Sequence, residues 1–235
     1  MDDGNISDRA EQMLSRGAVI LDIGAVSTRP GATEVGLEEE WSRLESCLKA
    51  LKNHFGADLP RISIDTVRAE IVRRCCGLWG SVIVNDISAG EDDPDMLPLV
   101  SELGLRYVAM HKRGTPQTMD NLCDYSACAT PEFPSGVVPA IVSYFREFAL
   151  RAEAAGVHDW ILDPGLGFAK TPDQCWEILE NLEEFKVFGR PLLIGASDKR
   201  FTKTLHGKSI SSRIGEDRVW ELALAADVDY LRVHM

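Results

Sequence analysis

Polar and apolar positions fall into repeating blocks along this chain. Short apolar runs at 18–23, 61–66, 81–86, 105–110, 159–165, 191–195 and 229–233 end at polar or charged groups. Between them, apolar residues recur every three or four positions. The first pattern predicts buried strands and the second amphipathic helices. A helix is expected from Ser7, as its N-cap, to Arg16, with Ala10, Met13 and Leu14 facing inward and Gly17 as its stop. Another is expected over 38–51, where Trp41, Leu44, Leu48 and Leu51 share one face. Further helices are expected after Thr66 through Arg74, and over 94–103, 137–155, 172–185 and 218–226. Residues 1–5 read as a short acidic turn and 207–217 as a polar connection. Residues 112–136 read as a long loop with little to bury, more mobile than the strands.

Strands alternating with helices indicate a parallel sheet. The strand ends carry Asp22, Asp65, Asn85, His111, Asp163, Lys199, Arg232 and His234. In a (β/α)8 barrel the active site is built at the carboxyl ends of the strands. A doubly wound open sheet would draw on fewer of them. The expected fold is therefore α/β, a (β/α)8 TIM-type barrel, as one domain over 1–235. The seven strands are one short of eight.

Composition narrows the partners. A chain of 235 residues that is 45% hydrophobic can bury one sizeable core. Its formal net charge of −12 disfavours nucleic acid and anionic membrane. An anionic substrate then requires a local cluster of Arg, Lys and His. No apolar run approaches the roughly 20 residues of a membrane span, and no secretory signal pattern opens the sequence. The six cysteines, at 47, 75, 76, 123, 128 and 175, form no C-x-x-C pair. That usage suggests reduced thiols and a cytoplasmic setting. No Cys/His quartet has zinc-site spacing.

The stretch from Leu21 to Ala32 concentrates the candidate chemistry. Its apolar start stops at Ser27-Thr28-Arg29-Pro30-Gly31. Two hydroxyls and a planar guanidinium suit phosphate oxygens, and Pro30-Gly31 shape the turn that presents them. Taken singly, the other candidates have plainer readings. Asp65 or Asp163 would be a helix cap, Asn85 a turn residue, Arg232 the partner of a surface carboxylate and Lys199 a solvated lysine. His111 reads as a structural, hydrogen-bonded histidine.

Taken in order, these residues resemble the dihydropteroate synthase family, the pterin-binding enzymes of the folate pathway. The matches are Asp22-Ile23-Gly24 through Ala32, Ile64-Asp65-Thr66, Val84-Asn85-Asp86, Met110-His111, Asp163-Pro164-Gly165-Leu166-Gly167-Phe168, Lys199 and Arg232-Val233-His234. They cover nearly the whole chain. The resemblance implies condensation of 6-hydroxymethyl-7,8-dihydropterin diphosphate with p-aminobenzoate, releasing diphosphate. It implies that Asp65, Asn85, Met110, Asp163, Gly195 and Lys199 bind the pterin, with Lys199, Asp65 and Asp163 catalytic. Thr28, Arg29, Arg232 and His234 would take the diphosphate. Thr28, Pro30, Phe168, Lys199 and Arg200 would border p-aminobenzoate. Magnesium, sulfonamide binding and a homodimer are implied in the same way.

Departures from the family pattern shape further expectations. The family's first strand, its N-V-T-P-D-S-F loop with a magnesium-binding asparagine, and its last helix have no counterpart in this sequence. A trimmed chain is expected rather than a degenerate one. At most, residues 1–5 resemble the tail of that loop, with Asp3 set against its aspartate, and Asp198 replaces an arginine beside Lys199. Two other functions compete: a methyltetrahydrofolate-dependent methyltransferase acting on a corrinoid protein, and a non-catalytic pterin-binding relative. The methyltransferase has no diphosphate to bind, which Arg29, Arg232 and His234 argue against.

Overall fold

The computed structural model describes residues 3–26, 35–115, 118–197 and 199–234; for residues 3–5 and 120 only the backbone is described. The chain divides into two compact units. One comprises residues up to 108 with 155–159, and the other residues 109–154 with 160–234.

The first unit opens with α1 (Asp3–Ser15), β1 (Leu21–Gly24), α2 (Leu37–Phe55), β2 (Ile62–Asp65), α3 (Ala69–Trp79), β3 (Ile83–Asp86) and α4 (Met96–Leu103). It ends in β4 (Arg106–Met110), which runs on into the second unit. The strands pair in parallel, Gly24 opposite Asp65 and Asp65 opposite Asn85, so successive polar strand ends align. Leu44, Leu48 and Leu51 of α2 pack with Leu21, Ile62, Ile64 and Ile71 in one apolar cluster. Their spacing is the one-face pattern seen in the sequence.

In the second unit, α5 (Val137–Ala155) precedes β5 (Trp160–Asp163), α6 (Pro172–Glu180) and β6 (Leu193–Gly195). A hairpin, β7 (Thr204–Leu205) with β8 (Lys208–Ser209), then leads to α7 (Ser212–Ala225) and β9 (Tyr230–Arg232). One sheet has the order β1-β2-β3-β4-β5, and β6 pairs in parallel with β9. Leu162 bridges Leu192 in parallel beside β5 and β6. The Trp160 ring is stacked on Phe145 at 6.2 Å and meets Phe148 edge-on at 5.0 Å. Seven strands of a strand–helix repeat are thus present among the described residues, as the apolar runs predict.

Several boundaries differ from those expectations. Residues 3–5 are helical, so Asp3 opens α1 rather than lying in a loop, and Ser7 is a buried residue inside that helix. The α-helix at 172 ends at Glu180 and gives way to a 3-10 stretch, Leu182–Phe188. The 207–217 connection instead contains a hairpin and the start of α7. Its two-residue turn, His206 and Gly207, has positive φ at both positions (46° and 74°). That is the turn whose twist matches a tight hairpin, and glycine adopts it readily. Nor is 112–136 devoid of burial: Tyr125 is 1% exposed, donates its hydroxyl to the Ala169 carbonyl and lies under Arg113.

Two arginines hold the flanks of residues 27–34. Arg43 on α2 donates to the Ala25 carbonyl, and Arg68 donates to that of Val35. Glu40, 2% exposed, accepts from Arg68 and from the Thr66 hydroxyl. A buried carboxylate with two donors is a high-stakes contact, because removing it leaves a cation and a hydroxyl without their acceptor. Glu40→Ala should therefore destabilise the protein by about 3 kcal/mol, and Glu40→Gln by less. Urea unfolding midpoints test this; an unchanged midpoint for Glu40→Ala would count against the contact.

Candidate functional site

In the first unit the polar strand ends form a linked group. Asp22 on β1 accepts the Ser63 hydroxyl at 2.5 Å and the Asn85 amide at 3.0 Å, joining β1, β2 and β3. Asn85 is 3% exposed, so its amide is oriented largely by that bond. Asp65 is half-buried and lies against Gly24, where an added Cβ would come within 3.1 Å of its own Cβ. Asp86, the next residue after Asn85, serves the fold. Its buried carboxylate accepts from Ser88, Gly90 and Tyr107. Burial raises its pKa, against the opposing Tyr107 bond.

In the second unit, Asp163 ends β5 and is 1% exposed. One oxygen accepts the Gly165 N–H at 2.8 Å and closes a tight turn. The other accepts from Arg232 of β9 at 2.9 Å. Gly195 of β6 makes room for that guanidinium, since a Cβ there would lie 2.9 Å from Nη2. Lys199 donates to the Leu166 carbonyl, and its Nζ sits 5.0 Å from the centre of the Phe168 ring. Burial of the ammonium pulls Lys199 down to about 8; Arg232 pushes the same way and Asp163 opposes. Met110 is buried at the end of β4, whereas Arg200 and His234 are exposed.

Thr28, Arg29, Pro30 and Asp198 lie outside the described residues, as does the Asp3 side chain. Two features have little signal in the sequence. Asp22 stands there as one more polar strand end, yet it is the acceptor that joins Ser63 and Asn85. Lys170 belongs to none of the sequence candidates, and it is buried with His111. A lysine between Ala169 and the helix-capping Thr171 would be expected in solvent. His111 is structural as expected, buried, and held neutral well below its usual range by burial and the adjacent Lys170. Among the described residues, no three His, Cys, Asp or Glu side chains are grouped as a metal would require. A depression of about 250 Å³ lined by Arg61, Ser81, Arg106 and Asp159 lies at the opposite, amino ends of β2 to β4.

The sequence profile of the pterin binding enzymes matches residues 2–234. The chain belongs to the pterin-binding enzyme family. It is 38% identical over 234 residues to the dihydropteroate synthase of Synechocystis sp., covering 96% of this chain and 75% of that one. It is 36% identical over 236 residues to the folic acid synthesis protein fol1 of Pneumocystis carinii, covering 95% of this chain but 30% of that longer protein. The solved dihydropteroate synthase of Anaplasma phagocytophilum, with bound 6-hydroxymethylpterin-monophosphate, matches with a TM-score of 0.85 at 28% identity. That match covers 100% of this chain and 89% of the other. The expected fold class is the one these synthases have, and the chain is a transferase of the dihydropteroate synthase type.

The Lys199 environment makes a signed pH prediction. Lysine ordinarily titrates near 10.5, and here it does so near 8. Between those values the unfolded chain holds a proton that the folded chain has lost. Stability contributed by this residue therefore rises with pH across that window. Against a Lys199→Met protein, the native chain should gain stability from pH 8 to pH 10; groups common to both cancel. Denaturant midpoints for the two proteins measure it, and a pH-independent difference would show an amine in ordinary solvent.

Proposed function

We propose that this chain joins 6-hydroxymethyl-7,8-dihydropterin diphosphate to p-aminobenzoate and releases diphosphate. The observation that carries this reading is the Asp163–Arg232 pair, with Lys199 beside the Phe168 ring in the same unit. A carboxylate has about four acceptor positions. Gly165 and Arg232 take one each on different oxygens, leaving Asp163 able to receive N–H donors of a pterin edge. Asp65 and Asn85 contribute further pterin contacts, Met110 packs on the ring and Gly195 leaves space beside it. Lys199 donates to a ring acceptor.

The chemistry needs orientation and electrostatics more than a base, because an aniline nitrogen is already nucleophilic. The bond from the methylene carbon to the diphosphate oxygen breaks early. Positive charge then develops on the pterin and negative charge on the leaving diphosphate. By the family resemblance, Asp163 and Asp65 offset the first charge, and Arg232, His234, Thr28 and Arg29 the second. The p-aminobenzoate nitrogen forms the new bond to the methylene carbon and sheds a proton. Thr28, Pro30, Phe168, Lys199 and Arg200 border that substrate, where a sulfonamide would compete. Magnesium would supply charge neutralisation at the diphosphate; the steps above use this chain's own residues. The setting we propose is a cytoplasmic homodimer; among the described residues no helix is long and apolar enough to cross a membrane.

The test is diphosphate release from dihydropterin diphosphate and p-aminobenzoate, with magnesium present. Lys199→Ala should lower turnover about a hundredfold or more, as for loss of one positioned donor. Arg232→Ala should weaken diphosphate binding by about 1.5–3 kcal/mol, the range for a charged hydrogen bond, in calorimetry. A native chain that binds pterin without releasing diphosphate would replace the synthase reading with a non-catalytic one.

A further inference from the structure

Lys170 has no place in the chemistry above, yet its side chain is 7% exposed and fully engaged. Its ammonium lies 2.9 Å from the Gly165 carbonyl, 2.9 Å from that of Phe168, 3.3 Å from that of His111 and 3.0 Å from His111 Nδ1. Two of these acceptors belong to the loop that follows β5. The other two belong to the residue that follows β4. A buried ammonium is costly unless every N–H finds an acceptor, and here three N–H groups face four. Neutral His111 leaves Nδ1 able to accept.

The loop held in this way is a demanding one. Gly165, Gly167 and Ala169 all have positive φ, at 69°, 79° and 51°. A Cβ at Gly165 would fall 2.1 Å from the His111 carbonyl, so the loop is seated against the end of β4. Backbone in sparsely populated conformations persists only where its surroundings over-determine it. The same loop carries Leu166, whose carbonyl receives Lys199, and Phe168, whose ring lies beside that ammonium.

We propose that Lys170 is a positioning residue for the transfer reaction: by tying the Gly165 and Phe168 carbonyls to His111, it fixes the carbonyl and the ring that orient Lys199. The proposal rests on the role given to Lys199 above. Lys170 itself touches no substrate and acts through the loop. Burial lowers its pKa to about 7, against the opposing pull of Cys175 and Asp163.

A double-mutant cycle on the full chain tests this. Lys170→Met removes the ammonium and keeps an unbranched stem; Lys199→Ala removes the group it positions. Two readouts are taken on all four proteins. One is kcat and KM in diphosphate release. The other is affinity for 6-hydroxymethylpterin by calorimetry, which needs no turnover. Lys170→Met is expected to lower kcat about tenfold or more while KM for p-aminobenzoate changes less than about threefold. Pterin affinity should fall about fivefold, and both losses should shrink below about twofold in the Lys199→Ala background. Equal losses in the two backgrounds would overturn the proposal, since Lys170 would then act on the fold at large. Should Lys170→Met fail to fold by circular dichroism, Lys170→Gln and Lys170→Arg, which retain donors, enter the same cycle under the same criterion. If the native chain binds pterin but releases no diphosphate, the synthase reading fails by itself, and the calorimetric cycle still decides the role of Lys170.

Discussion

The second unit depends on a carboxylate that has been taken out of water. Asp163 stands at the end of β5 with almost no exposure, and a buried carboxylate needs donors on both oxygens. One donor is the Gly165 N–H, which obliges the chain to turn at once after the strand. The other is Arg232, which ties β5 to the last strand, β9. Gly195 on β6 must then lack a side chain, because the guanidinium occupies that space. Three strands are thereby committed to one ionic pair. Such a pair adds little net stability when its desolvation is counted, but breaking it by removing one partner is expensive. Its value here is geometric, setting a negative and a positive group 2.9 Å apart at the strand ends.

Around that pair the chain accepts further electrostatic cost. Lys199 and Lys170 are both held below the ordinary lysine range by burial. Each is kept by carbonyl acceptors of the loop between β5 and α6, so the loop's backbone solvates two cations in place of water. Asp86 in the first unit shows the contrasting use of a buried charge. Donors from Ser88, Gly90 and Tyr107 surround its carboxylate, and it shapes the turn after β3. Its neighbour Asn85 is instead oriented by Asp22, on a strand distant in sequence. Adjacent residues on one strand point to opposite faces, which is why one can serve the turn while the other serves the strand-end group.

Much of this is legible in the residue order alone. Apolar runs ending in Asp65, Asn85, Asp163 and Arg232 mark strand ends whatever the tertiary fold, because a buried strand must stop where polar groups begin. The face of α2 at Leu44, Leu48 and Leu51 is legible for the same local reason. Other features differ from expectation because the local signal is weak or ambiguous. Ser7 has the side chain of a helix cap, but it is buried and the helix already starts at Asp3. The 207–217 stretch looks merely polar, since a two-residue hairpin turn at His206-Gly207 leaves so short a trace. Tyr125 sits in a loop of polar and small residues, yet burying its ring and bonding its hydroxyl to Ala169 anchors that loop.

By itself, the order of residues determined the alternation of strands and helices and the polar character of the strand ends. These are properties of neighbours along the chain and of their periodicity. Only the tertiary structure decided which polar groups become partners. The burial of Lys170, the acceptor role of Asp22 toward Asn85, and the Asp163–Arg232 pair join residues 59, 63 and 69 positions apart. No local pattern encodes such pairings. They arise because parallel strands bring distant carboxyl ends together, and the loss of water there forces each charge to find whichever donor or acceptor the fold supplies.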